Sequence, residues 1–390
     1  MHRGKSGENI LISTISEVVE AFVPHPLPPT PEIHWSESLR LKFEQANSLL
    51  AQLDMASEFT PNTELFLYSY IRKEAVLSSM IEGTVSTLAD LMLFELDEFH
   101  GVPIDDAQEV SSYVRALNHG IDLLDSGIPL SSRLLKRVHG ELLGQGRGSD
   151  QLPGEFRRSQ NWLGGSRPGN ALFVPPPADK VLSCMGDLDN FINDATSTTP
   201  PLLKAALAHV QCETIHPFLD GNGRVGRMLI TLILLDQQVL KAPTLYLSLY
   251  FKEHRDEYYR LLTQVRTNGD WEAWLEFFST AVISTATEAI GVLKKLSQLS
   301  NSDRQKISGL KRASVSADKV HQLLLQRPVV NAKFVGTETG LSHPTVNTSL
   351  KHLVDLGILV ELTGFKRNRV FIYSALVEIL MGTSDKTPSL

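Results

Sequence analysis

The stretch Met228–Leu235 limits the fold of this chain more than any other feature of the sequence. Its eight residues are apolar on almost every side of a helix, and a helix without a polar face lies inside a hydrophobic core. A helix needs roughly 20 apolar residues to cross a bilayer. Met228–Leu235 therefore indicates the centre of a globular helical domain and not a membrane span.

Helical periodicity continues on both sides of this stretch. Leu67, Ile71, Ala75 and Ser78 recur at intervals of four, four and three residues and share one helical face. The fold is therefore predicted to be mainly α. At roughly 150 residues per domain, the length suggests two or three domains. We predict an N-terminal helical region at 1–125, a core at 126–296, a Ser-, Lys- and Arg-rich linker at 297–316 and a C-terminal domain at 317–380.

One short segment of the core has the pattern of a β-hairpin. The strand-like pieces Ser159–Leu163 and Ala171–Val174 flank a turn rich in glycine and proline, and three prolines at 175–177 end the segment. The sequence therefore predicts a hairpin with a mobile tip.

The C-terminal domain has the outline of a winged helix-turn-helix. Helices are predicted near 317–326 and 332–339, and a third begins at Ser342–Pro344, where a cap and a first-turn proline coincide. Two strands, Leu359–Leu362 and Val370–Tyr373, follow and are joined by the basic segment 364–368.

Two uses of this C-terminal domain stay open. Residues 311–390 carry ten lysines and arginines against six acidic residues. The domain can therefore bind DNA, or it can serve dimerisation or target docking. The candidate DNA contacts are Lys366, Arg367 and Arg369 on the wing and Thr345, Asn347 and Thr348 on the recognition helix.

Composition excludes several classes of protein. The chain has 37 basic and 44 acidic residues, a net charge of −7, which argues against a protein that coats nucleic acid everywhere. Two cysteines, Cys184 and Cys212, are too few for a disulfide framework. The N-terminus lacks the pattern of a signal peptide. We therefore expect a cytoplasmic protein without a membrane partner.

The residues that carry chemistry lie directly before the apolar helix. Gly221–Gly223 form a tight turn into this helix, whose first amides are unpaired and favour an anion. Arg224 and Arg227 stand one helical turn apart and can face the same anion. Asp220 can hold a magnesium ion between phosphates, and His216 can take a proton from a hydroxyl. These residues predict a polyphosphate site, whereas a Gly-Asn-Gly turn alone would indicate only a capped helix.

The segment 216–227 resembles the signature of the Fic family, His-x-Phe-x-Asp-Gly-Asn-Gly-Arg-x-x-Arg. It reads His216-Pro217-Phe218-Leu219-Asp220-Gly221-Asn222-Gly223-Arg224-Val225-Gly226-Arg227. The resemblance implies a bundle of α-helices that transfers AMP from ATP to a hydroxyl of a protein, as most members of that family do. The target protein is not implied, and a homodimer is a reasonable expectation.

The resemblance also implies a role for the residues of this segment. His216 is the general base, Phe218 is an inward anchor and Asp220 holds Mg²⁺, the implied cofactor. The glycine turn cradles the α- and β-phosphates, and the two arginines take the β- and γ-phosphates. The implied ATP-binding residues are Gly221, Asn222, Gly223, Arg224, Val225, Gly226 and Arg227.

The predicted hairpin is similar to the flap of this family, which clamps the target segment by strand pairing. Arg157, Leu172 and Phe173 are then the target-binding residues, and Tyr258 corresponds to a residue that lines the adenosine pocket in relatives. From the residues alone, a surface hairpin without a ligand and an aromatic side chain in the core remain alternatives.

A second segment suggests an internal inhibitor. Gly83 indicates a helix end, which places the carboxylate of Glu82 at the negative end of the helix dipole, where it needs a cation. Ser78, Glu82 and Gly83 resemble the inhibitory motif Ser/Thr-x-x-x-Glu-Gly/Asn of Fic proteins with an N-terminal inhibitory helix. The resemblance implies that Glu82 pairs with Arg227 and lies beside bound ATP, whose γ-phosphate it displaces so that ATP binds unproductively. It also implies that Glu82 can align a water molecule for removal of AMP. An ordinary surface glutamate is the alternative.

Two other functions compete with AMP transfer. One is a DNA-binding regulator whose Fic core senses a nucleotide without chemistry, although a sensor has no need of His216 as a base. The other is transfer of phosphate in place of AMP.

Overall fold

The computed structural model describes residues 3–14, 17–58, 63–95, 104–363 and 369–381, and it confirms the mainly α fold. The first helices are α1 (Glu37–Glu58), α2 (Thr63–Ile81), α3 (Leu88–Phe94), α4 (Ile104–Asp125), α5 (Ser132–Leu143) and α6 (Ala178–Asn193). They are followed by α7 (Pro201–Ile215), α8 (Asn222–Asp236), α9 (Ser248–Glu253), α10 (Arg255–Asn268) and α11 (Trp271–Ser308). The last are α12 (Ser314–Gln326), α13 (Ala332–Thr339), α14 (His343–Asp355) and α15 (Ser374–Met381). Among these helices, none combines the length and hydrophobicity that a bilayer-spanning segment needs.

Helix α8 lies in the centre of the core, as its apolar sequence predicts. It is buried from Arg224 to Leu234, and α7 beside it is buried from Leu202 to Ile215. Helices α2, α4 and α5 also contact α8. Its first turn, which carries the two arginines, is therefore surrounded by protein.

The N-terminus contains a β-hairpin where the sequence analysis placed a helical region. Strands β1 (Gly7–Ser13) and β2 (Val18–Pro24) are antiparallel, with Gly7 opposite Pro24. Val19 and Ala21 are buried against Val174 of the predicted flap. Apolar residues do not alternate cleanly with polar ones in either segment, since Ile10, Leu11 and Ile12 are consecutive in β1 and Val18 precedes Val19 in β2, so the period of a strand gave no signal.

The predicted flap hairpin forms only one bridge, between Leu163 and Phe173, and no pair of regular strands. Gly164 and Gly165 both have a φ of 69°, which turns the chain at once, and residues Pro168–Asn170 form a 3₁₀ turn. Strand β2 lies beside this segment, because Phe22 N donates a hydrogen bond to Val174 O over 2.9 Å.

The linker predicted at 297–316 is largely helical. Helix α11 continues through Ser308, and Ser300, Asp303 and Ile307 are buried along one face of it. The Ser-, Lys- and Arg-rich composition therefore belongs to the solvated side of a helix. A short 3₁₀ turn, Lys311–Ala313, joins α11 to α12, and the positions of the domain boundaries stay a prediction.

The C-terminal region combines α12–α15 with a three-stranded antiparallel sheet. Strands β3 (Val329–Asn331), β4 (Val360–Glu361) and β5 (Val370–Ile372) lie in the order β3-β5-β4. The two predicted strands are present, and β3 was missed. The wing segment 364–368, with Lys366 and Arg367, lies outside the described residues.

Candidate active site

His216 occupies a strained position at the end of α7. Its φ of 50° and ψ of 59° are left-handed, and its backbone N–H donates to Cys212 O over 2.9 Å. A residue with a Cβ in this conformation costs about 1–3 kcal/mol and persists only where its surroundings hold it. The bend turns the chain from α7 into the loop that leads to α8.

The side chain of Arg157 stabilises this bend by hydrogen bonds to backbone carbonyls. Its side chain is buried, and its guanidinium donates to the carbonyls of His216 (2.9 Å), Ser159 (3.3 Å), Ile215 (3.4 Å) and Pro176. The assignment of Arg157 to target binding is therefore corrected, because its donors are used within the protein. Its burial depends on contacts that the local sequence does not reveal.

The loop after His216 is fixed by side chains on both of its faces. Phe218 is buried and stacks on His139 of α5, with ring centroids 3.8 Å apart. Asn222 Oδ1 accepts from Phe218 N over 2.8 Å, and Asn222 Nδ2 donates to Phe218 O over 2.9 Å. Since the Asn222 side chain is used in this way, only its backbone amide is left for a phosphate. Phe218 is an inward anchor, as the resemblance implies.

His139 is a functional residue that the sequence analysis missed. Gly154 N donates to His139 Nδ1 over 2.9 Å, so the ring proton lies on Nε2, which is 3.0 Å from Asp220 O. Burial lowers the pKa of His139 to about 4. The neutral ring therefore links α5 to the loop. His139 lies on the apolar face of α5. A histidine at such a position is usually a core residue, so the sequence pattern did not single it out.

Arg227 is buried on the first turns of α8 and is paired with Glu82, which follows the last residue of α2. The Arg227 Nη2–Glu82 Oε1 distance is 2.7 Å, and Arg227 Nε donates to Ser78 Oγ over 2.7 Å. Gly83 ends the helix with a φ of 105°. Ser78, Glu82 and Gly83 thus lie together beside Arg227.

The Glu82 carboxylate lies over the start of α8. A Cβ at Gly223 would come within 2.2 Å of Glu82 Oε1, so a larger residue there would force the Glu82 carboxylate to move. Although burial raises the pKa of Glu82, the guanidinium of Arg227 outweighs this effect and the pKa is lowered. A carboxylate therefore occupies the place where a helix start favours an anion.

Arg224 is paired with a carboxylate that the sequence analysis did not identify. Its Nη1 lies 2.7 Å from Oε1 of Glu109 on α4, and both side chains are almost completely buried. Its Nη2 is 3.7 Å from Asp220 Oδ2, and its Nε is buried without a hydrogen-bond partner among the described residues. The signature arginines are thus each matched to one glutamate.

His216 is held in its neutral form. Burial and the nearby guanidinium groups of Arg266 and Arg157 lower its pKa to about 3. Within the described chain, no hydrogen bond reaches its Nδ1. In a neutral imidazole one of the two ring nitrogens can accept a proton.

Asp220 fits a magnesium ion that phosphates help to hold. One oxygen accepts from Gly221 N over 2.7 Å, and the side chain is about half exposed beside the start of α8. In the part of the chain that the structure describes, no group of three or more His, Cys, Asp and Glu side chains could hold a metal ion. Mg²⁺ often binds one or two carboxylates together with substrate phosphates, and Asp220 suits that arrangement.

Comparison with known proteins identifies this region. Residues 129–234 match the model of the Fic/DOC family, and residues 41–122 match its Fic/DOC family N-terminal model. Over these two segments the chain is similar to the Fic/DOC family. The chain is 30% identical over 209 residues to the protein adenylyltransferases Fic of Drosophila yakuba and Drosophila melanogaster. The match covers 53% of this chain and only 39% of those longer proteins.

Solved structures support the Fic fold. A Fic family protein from Desulfovibrio desulfuricans G20 has 22% sequence identity and a TM-score of 0.57, and the match covers 88% of this chain and 98% of that one. A Fic domain containing signaling protein from Bacteroides thetaiotaomicron has 19% identity and a TM-score of 0.51, over 66% and 97% of the two chains. At these identities the likeness concerns the fold.

Three of the residues that the sequence analysis assigned to the ATP site lie in the core. Val225 is fully buried, and Gly226 packs against Glu213, whose Oε1 would lie 2.4 Å from an added Cβ. Tyr258 is also buried, with its Oη 2.9 Å from His209 Nε2. These assignments are corrected: an aromatic side chain at helical spacing is here part of the core.

The predicted flap exposes one of its two predicted apolar contacts. Leu172 is 89% exposed, whereas Phe173 is half-buried under the guanidinium of Arg266, 4.1 Å from its ring centroid. Glu17, from the N-terminal hairpin, accepts hydrogen bonds from Gly169 N (2.7 Å) and Arg167 Nη1. Of the two predicted apolar contacts, Leu172 is thus the exposed one, and its role in target binding stays a prediction.

Proposed function

We propose that this protein is an adenylyltransferase that moves AMP from ATP to a Ser, Thr or Tyr hydroxyl of a target protein or of itself. The observation that carries the proposal is the position of the neutral His216 imidazole, at the bend directly before the anion-favouring start of α8. The 30% identity to proteins named adenylyltransferases supports it.

The nucleotide is held by its phosphates. The first amides of α8 and the guanidinium groups of Arg224 and Arg227 bind the polyphosphate, because a helix start and two arginines favour a multiply charged anion. Asp220 holds Mg²⁺, which neutralises part of the phosphate charge when bound. The α-phosphorus then lies near His216.

The transfer is a displacement at this phosphorus. The flap presents the target segment by strand pairing, and His216 accepts the proton of the hydroxyl. The hydroxyl oxygen forms a bond to the α-phosphorus, the bond from this phosphorus to the bridging oxygen breaks, and diphosphate leaves. Orientation and charge stabilisation supply most of the rate.

Glu82 inhibits this reaction in the resting protein. Its carboxylate occupies the space above Gly223 and engages Arg227 over 2.7 Å. The γ-phosphate must displace it to reach Arg227, and ATP that does not do so binds unproductively. With Glu82 in place, the same carboxylate can align a water for removal of AMP from a modified target.

Intact-mass measurement after incubation with ATP and Mg²⁺ tests these statements together. The wild-type chain, Glu82→Gly, and Glu82→Gly with His216→Ala are compared. Glu58→Gly, an exposed glutamate at the end of α1, is the matched control. We expect addition of AMP to Glu82→Gly alone, and loss of that addition when wild-type protein is added afterwards without ATP. A parallel incubation with α-labelled ATP and a lysate of the source cells detects targets in trans.

Each other outcome has a definite meaning. An increase by the mass of a phosphate group would mean that the protein transfers phosphate and not AMP. Equal addition to wild type and Glu82→Gly would contradict inhibition by Glu82. Addition to the double variant would remove His216 from the role of base. If neither the chain nor the lysate is labelled, AMP transfer is wrong and the nucleotide-sensing regulator becomes the function to test.

A further inference from the structure

The two arginine–glutamate pairs at the start of α8 differ in their access to water. In the Arg227 pair, the Glu82 side chain is 34% exposed. In the Arg224 pair, the side chains of Arg224 and Glu109 are 4% and 5% exposed. Moving an unpaired carboxylate or guanidinium through a buried site carries a large desolvation cost. Glu82 can therefore leave its partner for solvent, whereas Glu109 stays with Arg224.

The contact with Glu109 uses only part of the Arg224 guanidinium. A guanidinium has five N–H donors in a rigid plane, and the contact to Glu109 is made by Nη1. Nε has no partner among the described residues, and Nη2 lies 3.7 Å from Asp220 Oδ2, beyond hydrogen-bond distance. One corner of the plane is fixed, whereas Nη2 makes only the longer ion pair with Asp220 and Nε makes no hydrogen bond to a described residue.

The anchor itself is rigid. Glu109 belongs to α4, a 22-residue helix that packs against α5, α2 and α8. Its neighbours Ala107 and Val110 are fully buried. The carboxylate therefore has a fixed position relative to the first turn of α8, and it determines where the plane of Arg224 lies.

We propose that Glu109 is a positioning residue for Arg224, which it holds by Nη1 so that the other donors face the β- and γ-phosphates of a nucleotide at the start of α8. The inference rests on the proposed use of this helix start as the polyphosphate site. Glu109 keeps its contact when ATP is bound, in contrast to Glu82, which ATP displaces. The two glutamates thus have opposite effects on the nucleotide.

The test compares two conservative variants, Glu109→Asp and Glu109→Gln, each in the Glu82→Gly chain. Aspartate keeps the charge but is one methylene shorter, so it draws the guanidinium away from the anion. Glutamine keeps the length and the acceptor oxygen but not the charge. Asp303→Asn is the matched control, because Asp303 is an equally buried carboxylate that bonds Tyr373 and Lys306 in the C-terminal region.

Calorimetric titration with ATP and with AMP, in EDTA, gives the readout. Glu109→Asp is expected to weaken ATP binding about tenfold or more, as loss of one charge-assisted hydrogen bond does, and AMP binding by less than about twofold. Glu109→Gln is expected to keep ATP within about threefold of the parent, because the acceptor is retained. Asp303→Asn is expected to lower the melting temperature without changing either affinity.

Three results would overturn the proposal. A larger loss in Glu109→Gln than in Glu109→Asp would mean that charge and not position matters. Parallel losses for ATP and AMP would mean a general structural role. Tighter ATP binding in either variant would make Glu109 a competitor of the nucleotide.

The same experiment separates this inference from the proposed function. A parent chain that binds ATP with the expected dependence on Glu109 but transfers no AMP contradicts the function alone. If the parent binds ATP neither in EDTA nor with Mg²⁺, the function fails. The side-chain Nε–H signal of Arg224 in the ligand-free protein, assigned by Arg224→Lys, then decides the inference. Slow exchange in the parent and fast exchange in Glu109→Asp would support positioning, and equal exchange would contradict it.

Discussion

Helices α8 and α14 are each the second member of a helix-turn-helix pair, but their first turns are held in different ways. Arg224 and Arg227 of α8 are buried and contact glutamates that lie 115 and 145 positions away in the chain. In α14, Asn347 and Thr348 donate to carbonyls only four positions away, and Arg369 approaches Asn347 at 3.4 Å. The start of α8 is built by the whole fold, whereas the start of α14 is built mostly by its own helix.

This difference has a consequence for function. A site assembled from distant segments has fixed donors and shifted pKa values before any ligand arrives, which is what catalysis requires. A first turn whose side chains bond only within their own helix can exchange these contacts for contacts with a partner. Substitutions remote in sequence should therefore change α8, and changes at α14 should stay local.

The largest expected effect is on stability and concerns Arg157. Arg157→Met removes the hydrogen bonds to the carbonyls that hold the His216 bend and should lower the free energy of unfolding by about 3 kcal/mol. Arg369→Met is the matched change near α14: its ion pair with Glu361 spans 3.5 Å at the surface, and the loss should be within about 0.5 kcal/mol. Urea unfolding followed by circular dichroism measures both. Equal losses would contradict the comparison.

The second prediction concerns pH and His139. Burial lowers the folded-state pKa of His139 from 6.5 to about 4, so the unfolded chain binds more protons in that interval. The stabilisation is complete above about pH 6.5 and is lost as the pH falls towards 4, at up to about 1.4 kcal/mol per pH unit for this residue.

Unfolding in urea at pH 7.5, 6 and 5 measures this dependence. In His139→Gln the slope should be smaller, because one titrating group is gone. An unchanged slope would show that His139 is not held neutral. A rise in stability on acidification would mean that the folded protein, and not the unfolded chain, binds more protons.

The smallest expected effect is at α14. If the C-terminal region contacts DNA phosphates, fluorescence anisotropy with a labelled duplex should detect weak binding that falls steeply between about 50 and 200 mM salt. Arg369→Gln should reduce the salt dependence, and Glu82→Gly, as a control, should leave it unchanged. Absence of binding at low salt, or binding that high salt does not weaken, would assign the region to dimerisation or target docking.

Local signals in the sequence were sufficient for part of the site. The glycine turn, the apolar helix after it and Gly83 at the end of α2 each act within a few residues, so these local features were predicted correctly. The pairing of Glu82 with Arg227 was implied only by the resemblance to the Fic family. The N-terminal strands carry no clear alternation of apolar and polar residues.

The remaining residues depend on tertiary contacts. Arg157 and Tyr258 belong to residue types that suit a binding surface, and only the packing of α7 and α10 reveals that they are buried. Glu109 and His139 had no recognisable pattern, because their partners Arg224 and Asp220 lie 115 and 81 positions away. Contacts at such separations leave no local pattern in the sequence.

Helix α11 is a long, continuous helix of defined length. Its 38 residues extend for about 57 Å at 1.5 Å per residue. It packs against α1 and also against α12 and α15 of the C-terminal region. If the proposed transfer acts on a partner that the C-terminal region binds, this helix sets how far that partner lies from the site at the start of α8. Reach would then limit which hydroxyl of the partner is modified.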